Sequence, residues 1–318
     1  MIPVMLGVLF VVFTINHFTP GDPVASILGN NYTQEQYDMK RADLGLDKPF
    51  MTQFVTFIKN IVAEGDFGTS YYSKRPVSEE LSERFPTTIR LGIMGVLLTI
   101  AIGVPLGVLS AVKHQKPTDF IITAGSIAFA AIPGFWLALM LMIVFCFKLG
   151  WFPASGLESW TGYILPVLCL GLSPVAIVVR MMRSSMLEVI RQDYIRTARA
   201  KGLSEKEVIW RHALKNALIP VITVIGMQMS SIMGGSILIE TIYSIPGIGS
   251  WMNAAIQQKN YPVVQTGVLL ISLTVCVMNL LVDLAYAFVD PRIKAQFGGK
   301  GTKRRNKAPK ATKTGGEA

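Results

Sequence analysis

The amino-acid sequence predicts an all-α integral membrane protein with six transmembrane helices. Of its 318 residues, 51% are hydrophobic and only 16% are charged, and the mean hydropathy is +0.45. A soluble domain carries roughly a quarter charged residues. Six long apolar runs alternate with polar loops along the chain. Because about 20 consecutive apolar residues cross the hydrocarbon core as a helix, each run is predicted to span the membrane once.

The first apolar run, residues 1–18, has neither the basic start nor the small-residue cleavage site of a signal peptide, so it is predicted to remain as an anchor. In the second run, Gly103 and Gly107 lie four residues apart, a spacing that lets a neighbouring helix approach closely. Pro133 and Gly134 interrupt the third run. The predicted spans after the first are 89–112, 120–147, 164–182, 221–242 and 263–289.

Residues 19–88 are predicted to form a small folded cap outside the membrane. Turn signals rich in glycine, aspartate and proline punctuate this segment at 21–23, 44–49 and 65–68. Between the last two, residues 52–63 carry apolar side chains on one face, which predicts a short amphipathic helix.

The distribution of Lys and Arg predicts the orientation. The basic segments are 113–117, 180–215 and 290–318, whereas the loops 150–162 and 243–261 contain only Lys259. Basic loops remain in the cytoplasm. Both termini are therefore predicted to be cytoplasmic, in a multi-pass protein of the cell membrane.

The tail, residues 290–318, carries nine Lys and Arg against two acidic residues. Such a segment is predicted to be disordered and to lie near anionic lipid. Nucleic-acid binding is the alternative for a basic tail, but a membrane span directly precedes this one, so no nucleic-acid partner is predicted.

The polar stretch 193–220, between the fourth and fifth apolar runs, is here called the elbow. Leu187, Ile190, Tyr194 and Ala198 follow the spacing of one helix face. Gly202 is predicted to end that helix in a positive-φ conformation. The stretch Ser204-Glu205-Lys206-Glu207 has the form of a capping box, which predicts a second, short helix from about 205 to 210.

Catalytic and cofactor motifs are absent from the sequence. It contains no glycine-rich phosphate loop, no histidines or cysteines at metal-ligand spacing and no G-x-S-x-G nucleophile motif. Its three cysteines lie inside apolar runs and are predicted to be small buried hydrophobes. We therefore predict that the chain is not an enzyme by itself and has no cofactor or metal site.

Few ionisable residues interrupt the apolar runs, where each is costly. Glu240 lies near the outer end of the fifth run, and Asp283 lies near the inner end of the sixth. A structural ion pair of Asp283 with Arg180 or Arg183 is the favoured interpretation, and a role in transport is the alternative.

Small and polar residues are concentrated in the fifth run. Two interpretations are compatible: close packing of helices, or the wall of a wide, wet pathway. The candidate pathway residues are Gln228, Ser230, Ser231, Gly234 and Gly235.

The elbow resembles the cytoplasmic signature of permease subunits of ATP-binding-cassette importers, most closely the branch that imports di- and oligopeptides. The matching alanine and glycine are Ala198 and Gly202, and the chain departs from the general signature at Arg196 and Lys215 in the way that branch does. Further matching segments, in chain order, are Thr19-Pro20-Gly21-Asp22-Pro23, Leu44-Gly45-Leu46-Asp47-Lys48-Pro49, Gly65-Asp66-Phe67-Gly68-Thr69-Ser70, Ile245-Pro246-Gly247-Ile248-Gly249 and Val289-Asp290-Pro291-Arg292.

The resemblance implies a type I importer permease fold over 87–289, with a coupling helix from Leu203 to about His212 that inserts into a groove on an ATPase. Leu203, Val208, Ile209 and Trp210 would fill that groove, and an amphipathic helix resting on lipid headgroups is the alternative. The residues expected at the ATPase contact are Ala198, Gly202, Leu203, Ser204, Glu205, Glu207, Trp210, Arg211 and His212.

The implied partners are a second, homologous permease, two ATPase subunits and an extracytoplasmic solute-binding protein that docks on 19–88 and 243–261. The predicted function is thus the translocation path of a peptide importer driven by ATP in the partner subunits. A secondary carrier driven by an ion gradient is an alternative from another class, disfavoured by the scarcity of charges near the membrane midplane. Within the class, nickel, glutathione or oligosaccharide are alternative cargoes.

Overall fold

The computed structural model describes residues 2–19, 21–29 and 31–289, which fold into helices joined by turns. The first four helices are α1 (Ile2–Phe18), α2 (Pro23–Leu28), α3 (Gln34–Asp43) and α4 (Phe50–Glu64). The central helices are α5 (Val77–Val112), α6 (Pro117–Ala130), α7 (Gly134–Leu141) and α8 (Ile164–Ile190). The last five are α9 (Asp193–Ala200), α10 (Glu205–Glu207), α11 (Leu214–Ile242), α12 (Ile248–Gln257) and α13 (Tyr261–Val289). A π-helical segment, Met142–Lys148, extends α7, and a second, Val208–Ala213, joins α10 to α11.

Within the described residues, four helices are long and apolar enough to cross a membrane. They are Val77–Val112, Trp160–Ile190, Glu205–Gly234 and Tyr261–Val282. The pair Pro117–Ala130 and Gly134–Lys148, bent by 94°, is a fifth if it counts as one broken span. The predicted number of six is not reached, because α1 has 17 residues and so extends for only about 25 Å.

Three predicted spans are embedded in helices that continue past them. The second begins at Val77 rather than 89, the fourth ends at Ile190 rather than 182, and the fifth begins at Leu214 rather than 221. Pro86 and Pro220, at which a helix could have ended, lie inside α5 and α11. Hydropathy identifies only the apolar part of a helix that lipid surrounds. The helix itself can be longer, because packing contacts also stabilise the polar turns at its ends.

The predicted close approach at Gly103 and Gly107 is confirmed, and the neighbour is α8. A Cβ on Gly103 would lie 2.8 Å from Cγ1 of Val178, and one on Gly107 would lie 2.9 Å from the backbone oxygen of Val179. Because a Cβ at either position would collide with α8, the glycines let α5 and α8 approach closely, and these helices form the central pair of the fold.

A layer of short helices and turns covers the ends of α1, α5 and α13. The amphipathic helix predicted at 52–63 is present as α4, and its Phe54 packs edge-on against Phe13 of α1 with ring centroids 5.3 Å apart. Asn260 accepts a hydrogen bond from the backbone N–H of Tyr71 at 3.1 Å and donates one to Ser70 Oγ at 2.9 Å. These bonds attach the predicted cap to the α12–α13 turn.

The loop predicted at 243–261 contains a helix, α12, which the sequence analysis missed. Its Trp251 donates from Nε1 to the buried carboxylate of Glu80 at the start of α5, over 2.7 Å.

Three predictions lie outside the described residues: those for the tail 290–318 and for the side-chain positions of Asp283 and Gly235.

Candidate functional site

The elbow contains the predicted glycine and serine cap. Gly202 follows α9 with φ of +81°, a conformation that favours glycine. Ser204 Oγ then accepts a hydrogen bond from the backbone N–H of Glu207 at 3.3 Å, and the carboxylate of Glu207 accepts one from Arg211 Nη1 at 3.1 Å. The serine half of the capping box is therefore confirmed.

Two predicted features of the elbow are wrong. The helix that was to carry Leu187 and Ala198 on one face is two helices, because the chain breaks between Ile190 and Asp193, with Gln192 in extended geometry. The short helix was to stand apart from the fifth span, but α10 continues through its π-helical turn into α11. The short helix of the elbow and this span thus form one continuous rod, Glu205–Ile242.

The inner face of the elbow packs against the ends of the central helices. Ile195, Ala198 and Val208 belong to one apolar cluster, which also contains Met182 and Met186 of α8. Val208 is fully buried and Ile209 is 9% exposed. The expectation that Val208 and Ile209 fill a groove on a partner is therefore wrong: the chain buries both in its own core. The spacing predicts an apolar face, but it does not tell which body covers that face.

The outer face of the elbow is polar, with one large aromatic side chain. Trp210 is 51% exposed. Arg199 Nε donates to the carboxylate of Glu205 at 2.7 Å, and this bond raises the pKa of the Arg199 guanidinium above its ordinary value. Such an exposed pair contributes about 0–1 kcal/mol to stability. Its main effect is to fix the positions of these two side chains on the surface.

The structure separates the predicted coupling residues into three groups. Ala198 is buried against α8, where it positions the elbow. Leu203, Glu207 and His212 are half-buried at its edge. The exposed members are Gly202, Ser204, Glu205, Trp210 and Arg211.

A buried ion pair beside the elbow was not predicted. Arg183 of α8 donates to both carboxylate oxygens of Asp119 in α6, from Nε at 2.7 Å and from Nη2 at 2.8 Å. The backbone N–H of Gln115 donates to the same carboxylate at 3.0 Å, and the hydroxyl of Ser110 also donates to it. His114 Nδ1 lies 3.0 Å from Arg183 Nη2. We call Ser110, His114, Asp119 and Arg183 the clamp.

Arg183 is thus paired with Asp119, a partner that the sequence analysis did not name, whereas the predicted pair of Asp283 with Arg180 or Arg183 lies outside the described residues. The clamp fastens the α5–α6 turn to the segment of α8 whose Met182 and Met186 support the elbow. A signal was present in the sequence, since Arg183 follows an apolar run and a charge there needs a partner. The partner could not be chosen without the fold.

The small and polar residues of α11, which include the predicted pathway residues, lie on different faces. Gly226 packs against α13, because a Cβ there would overlap the side chain of Val282. Ser230 lies 3.5 Å from Asn279 of α13. Ser231 lines a cavity of about 230 Å³ together with residues of α7 and α8, and a Cβ on Gly234 would meet nothing within 4 Å. The face that contains Gly226 is therefore closely packed against another helix, whereas the face that contains Gly234 is open.

At the other end of α11, the fully buried carboxylate of Glu240 organises the 245–250 turn. It accepts hydrogen bonds from Thr88 Oγ1 at 2.7 Å and from the backbone N–H groups of Gly249 and Ser250 at 2.7 and 3.1 Å. A Cβ on Gly247 would overlap this carboxylate. The glycines of the Ile245–Gly249 motif therefore let the backbone close around Glu240.

Protein-family models match most of the chain. "Binding-protein-dependent transport system inner membrane component" matches residues 103–295, and the N-terminal model of a binding-protein-dependent transport system membrane component matches residues 1–92.

Curated relatives match over nearly their full length. The dipeptide transport system permease protein DppB of Alkalihalophilus pseudofirmus is 41% identical over 322 residues, covering 92% of this chain and 96% of that protein. The glutathione transport system permease protein GsiC of Pectobacterium atrosepticum is 41% identical over 294 residues, with the same coverage. The Escherichia coli K12 DppB is 40% identical over 325 residues, again covering 92% and 96%.

Among solved structures, the chain resembles an inward facing conformation of the MetNI methionine ABC transporter, with a TM-score of 0.57 at 18% identity. The match covers 66% of this chain and 96% of that one, and it concerns the fold alone. The family model over 103–295 and relatives 40–41% identical over 92% of the chain agree: this chain belongs to the binding-protein-dependent transport system inner membrane component family of importer permeases.

Proposed function

We propose that the chain forms part of the translocation path for di- and oligopeptides and that its elbow couples this path to ATPase subunits. The observation that carries the proposal is the continuous rod from α10 into α11. The exposed Trp210 is joined to Ser231 and Gly234 by helical backbone without a break, through the π-helical turn and Pro220. A ligand changes a state only through different contacts in the two states, and a rigid rod converts such contacts into movement.

The contact surface of the proposed coupling helix is narrower than the sequence suggested. Trp210 is its apolar anchor, because Val208 and Ile209 are buried inside the chain. Around it lie the exposed residues Ser204, Glu205 and Arg211 and the half-buried edge residues Leu203, Glu207 and His212. Ala198 and Gly202 act through the shape of the elbow, one by packing and the other by its left-handed turn.

The proposed topology has six spans, with both termini and the elbow in the cytoplasm. The basic segments on the elbow side support this orientation. In this arrangement α1, short for a span, crosses beside α13, and the layer formed by 19–88 and 243–261 receives a solute-binding protein. A second homologous permease and two ATPase subunits complete the transporter, and the basic tail 290–318 lies on anionic lipid.

The proposed path runs along the open face of α11. The position of Ser231 in a cavity supports this assignment, as does the free space around Gly234. Gln228 is half-buried near them, and Ser230 and Gly235 belong to the same small-residue segment. Hydroxyl, amide and backbone groups suit a path that carries peptides of varied sequence, since peptide bonds require hydrogen-bonding partners.

The proposed cargo is peptidic because relatives at 40–41% identity are named for dipeptide and glutathione transport. The test is uptake of labelled di- to pentapeptides in cells with and without the chain, after an uncoupler has collapsed the proton gradient while ATP is maintained. We expect chain-dependent uptake to survive. Chain-dependent uptake that needs the gradient would favour a secondary carrier, and uptake that never depends on the chain would refute the peptide cargo.

A further inference from the structure

An apolar groove lies between the first halves of α5 and α8, away from the elbow and from the proposed path. It has a volume of about 560 Å³, within the range of roughly 300–1,000 Å³ of sites that bind one organic molecule. Its walls include Ile93, Met94 and Leu98 of α5 and Leu168 of α8. Ile93 is 42% exposed, so the groove opens to the surroundings of the helix pair.

The surface of the groove is apolar, and the lining residues that also carry polar groups lie at one end. Arg90 lies at that end of the α5 wall, and Trp160 and Tyr163 lie just before α8. Tryptophan and tyrosine at the ends of spans mark the boundary between headgroups and hydrocarbon. From Arg90 to Leu98 the α5 wall extends about 12 Å, close to the depth of one leaflet's hydrocarbon, which is about 15 Å.

The character of the walls favours lipid over a second protein helix. Contacts between membrane helices favour glycine, alanine and serine, because small residues let backbones approach. The groove walls contain large side chains instead. Gly103 and Gly107, which do receive another helix, lie further along α5 and are filled by α8.

The charge at the mouth of the groove indicates the headgroup. The ion pairs found within residues 2–19, 21–29 and 31–289 do not include Arg90. A guanidinium binds phosphate oxygens with two parallel hydrogen bonds. We propose that the groove binds one anionic phospholipid, with its phosphate on Arg90, its glycerol region beside Trp160 and Tyr163, and an acyl chain between α5 and α8.

The test counts phospholipids on the full-length chain, purified in detergent with its copurifying subunits, by native mass spectrometry after titration with phosphatidylglycerol. We expect Arg90→Gln to remove one tightly bound phosphatidylglycerol, with at least a tenfold loss of affinity. Lys148→Gln is the matched control: it removes one charge from an exposed residue outside the groove and should leave that lipid bound.

A second variant tests the groove itself. Met94→Trp fills the exposed cavity without touching the charge, and we expect it to displace the same lipid. The proposal is overturned if Arg90→Gln and wild type retain equal amounts of phosphatidylglycerol, if Lys148→Gln weakens binding as much as Arg90→Gln, or if Met94→Trp leaves the lipid in place. Equal affinity for phosphatidylcholine would overturn the assignment of an anionic headgroup. None of these outcomes depends on the cargo, so the peptide assignment can fail while the lipid site stands.

Discussion

Arg183 and Asp119 form a two-point ion pair across 64 positions of sequence, with both bonds shorter than 3 Å. The carboxylate is 5% exposed, and the pair fastens the α5–α6 turn to α8. The same part of α8 packs under the elbow. The pair therefore links the part of α8 that contacts the elbow to the α5–α6 turn, so a movement of the elbow would be transmitted through it.

Asp119→Asn should destabilise the protein and impair coupling. The substitution leaves the Arg183 charge half-buried without its anion; removing one partner of a buried pair costs about 3–5 kcal/mol, and partial exposure of Arg183 reduces this to about 2–3 kcal/mol. The measurement is the free energy of unfolding in detergent, together with uptake per ATP hydrolysed. Asp193→Asn, at a fully exposed carboxylate of α9, is the control. Equal free energies of unfolding for the two variants would contradict a stabilising role of the clamp.

Glu240→Gln should loosen the turn at 245–250. The amide can accept hydrogen bonds at only one of its ends, so either the Thr88 hydroxyl or the backbone N–H groups of Gly249 and Ser250 lose their acceptor at this fully buried position. A buried unsatisfied donor costs about 1–3 kcal/mol. The readouts are the unfolding free energy and the rate of proteolysis within α12. The control is Glu158→Gln, at an exposed carboxylate of the 150–162 loop. Equal rates of cleavage within α12 in the two variants would count against the role of Glu240.

Trp210→Ala should weaken ATPase binding without changing stability, and Val208→Ala should lower stability without changing ATPase binding. Trp210 is half-exposed and Val208 is fully buried. We expect Trp210→Ala to weaken ATPase binding by about tenfold, as loss of an aromatic anchor does, with unchanged stability. Val208→Ala should lose about 2 kcal/mol of stability and keep its ATPase affinity. Pull-down of the ATPase and thermal unfolding distinguish the two, and a stable Trp210→Ala that binds ATPase normally would contradict the proposed contact surface.

Ser231→Trp should block uptake while ATPase subunits still bind. The indole would occupy the cavity of about 230 Å³ that Ser231 lines. Leu97→Trp, at a side chain of α5 that is 58% exposed and outside this cavity, is the control and should transport normally. If both variants transport at the wild-type rate, the path does not run along this face.

The local chemistry of the elbow could be predicted because it depends on neighbours in sequence. A glycine with positive φ and a serine that caps a helix need only the next few residues, and both are present. The length of α5 was missed because polar turns before residue 89 are held by contacts with α12, a helix that hydropathy does not mark.

Long-range partners are what the sequence could not reveal. Arg183 needed an anion, and several acidic residues were equally suited until the fold brought Asp119 to it. Val208 and Ile209 were correctly predicted as apolar, but their burial depends on α8, which lies beneath them.

The most direct test of the coupling proposal is the number of peptides transported per ATP hydrolysed by the reconstituted transporter carrying Gly202→Asp. Both Gly202 and Gly156 have positive φ, at +81° and +76°, and a Cβ on either meets nothing within 4 Å. Aspartate at either position therefore costs a similar strain of about 1–2 kcal/mol, but only residue 202 lies in the elbow.

We expect Gly202→Asp to remain in the membrane and to lose most of its transport per ATP, with Gly156→Asp close to wild type. A wild-type ratio of transport to hydrolysis in Gly202→Asp would contradict the coupling role of the elbow.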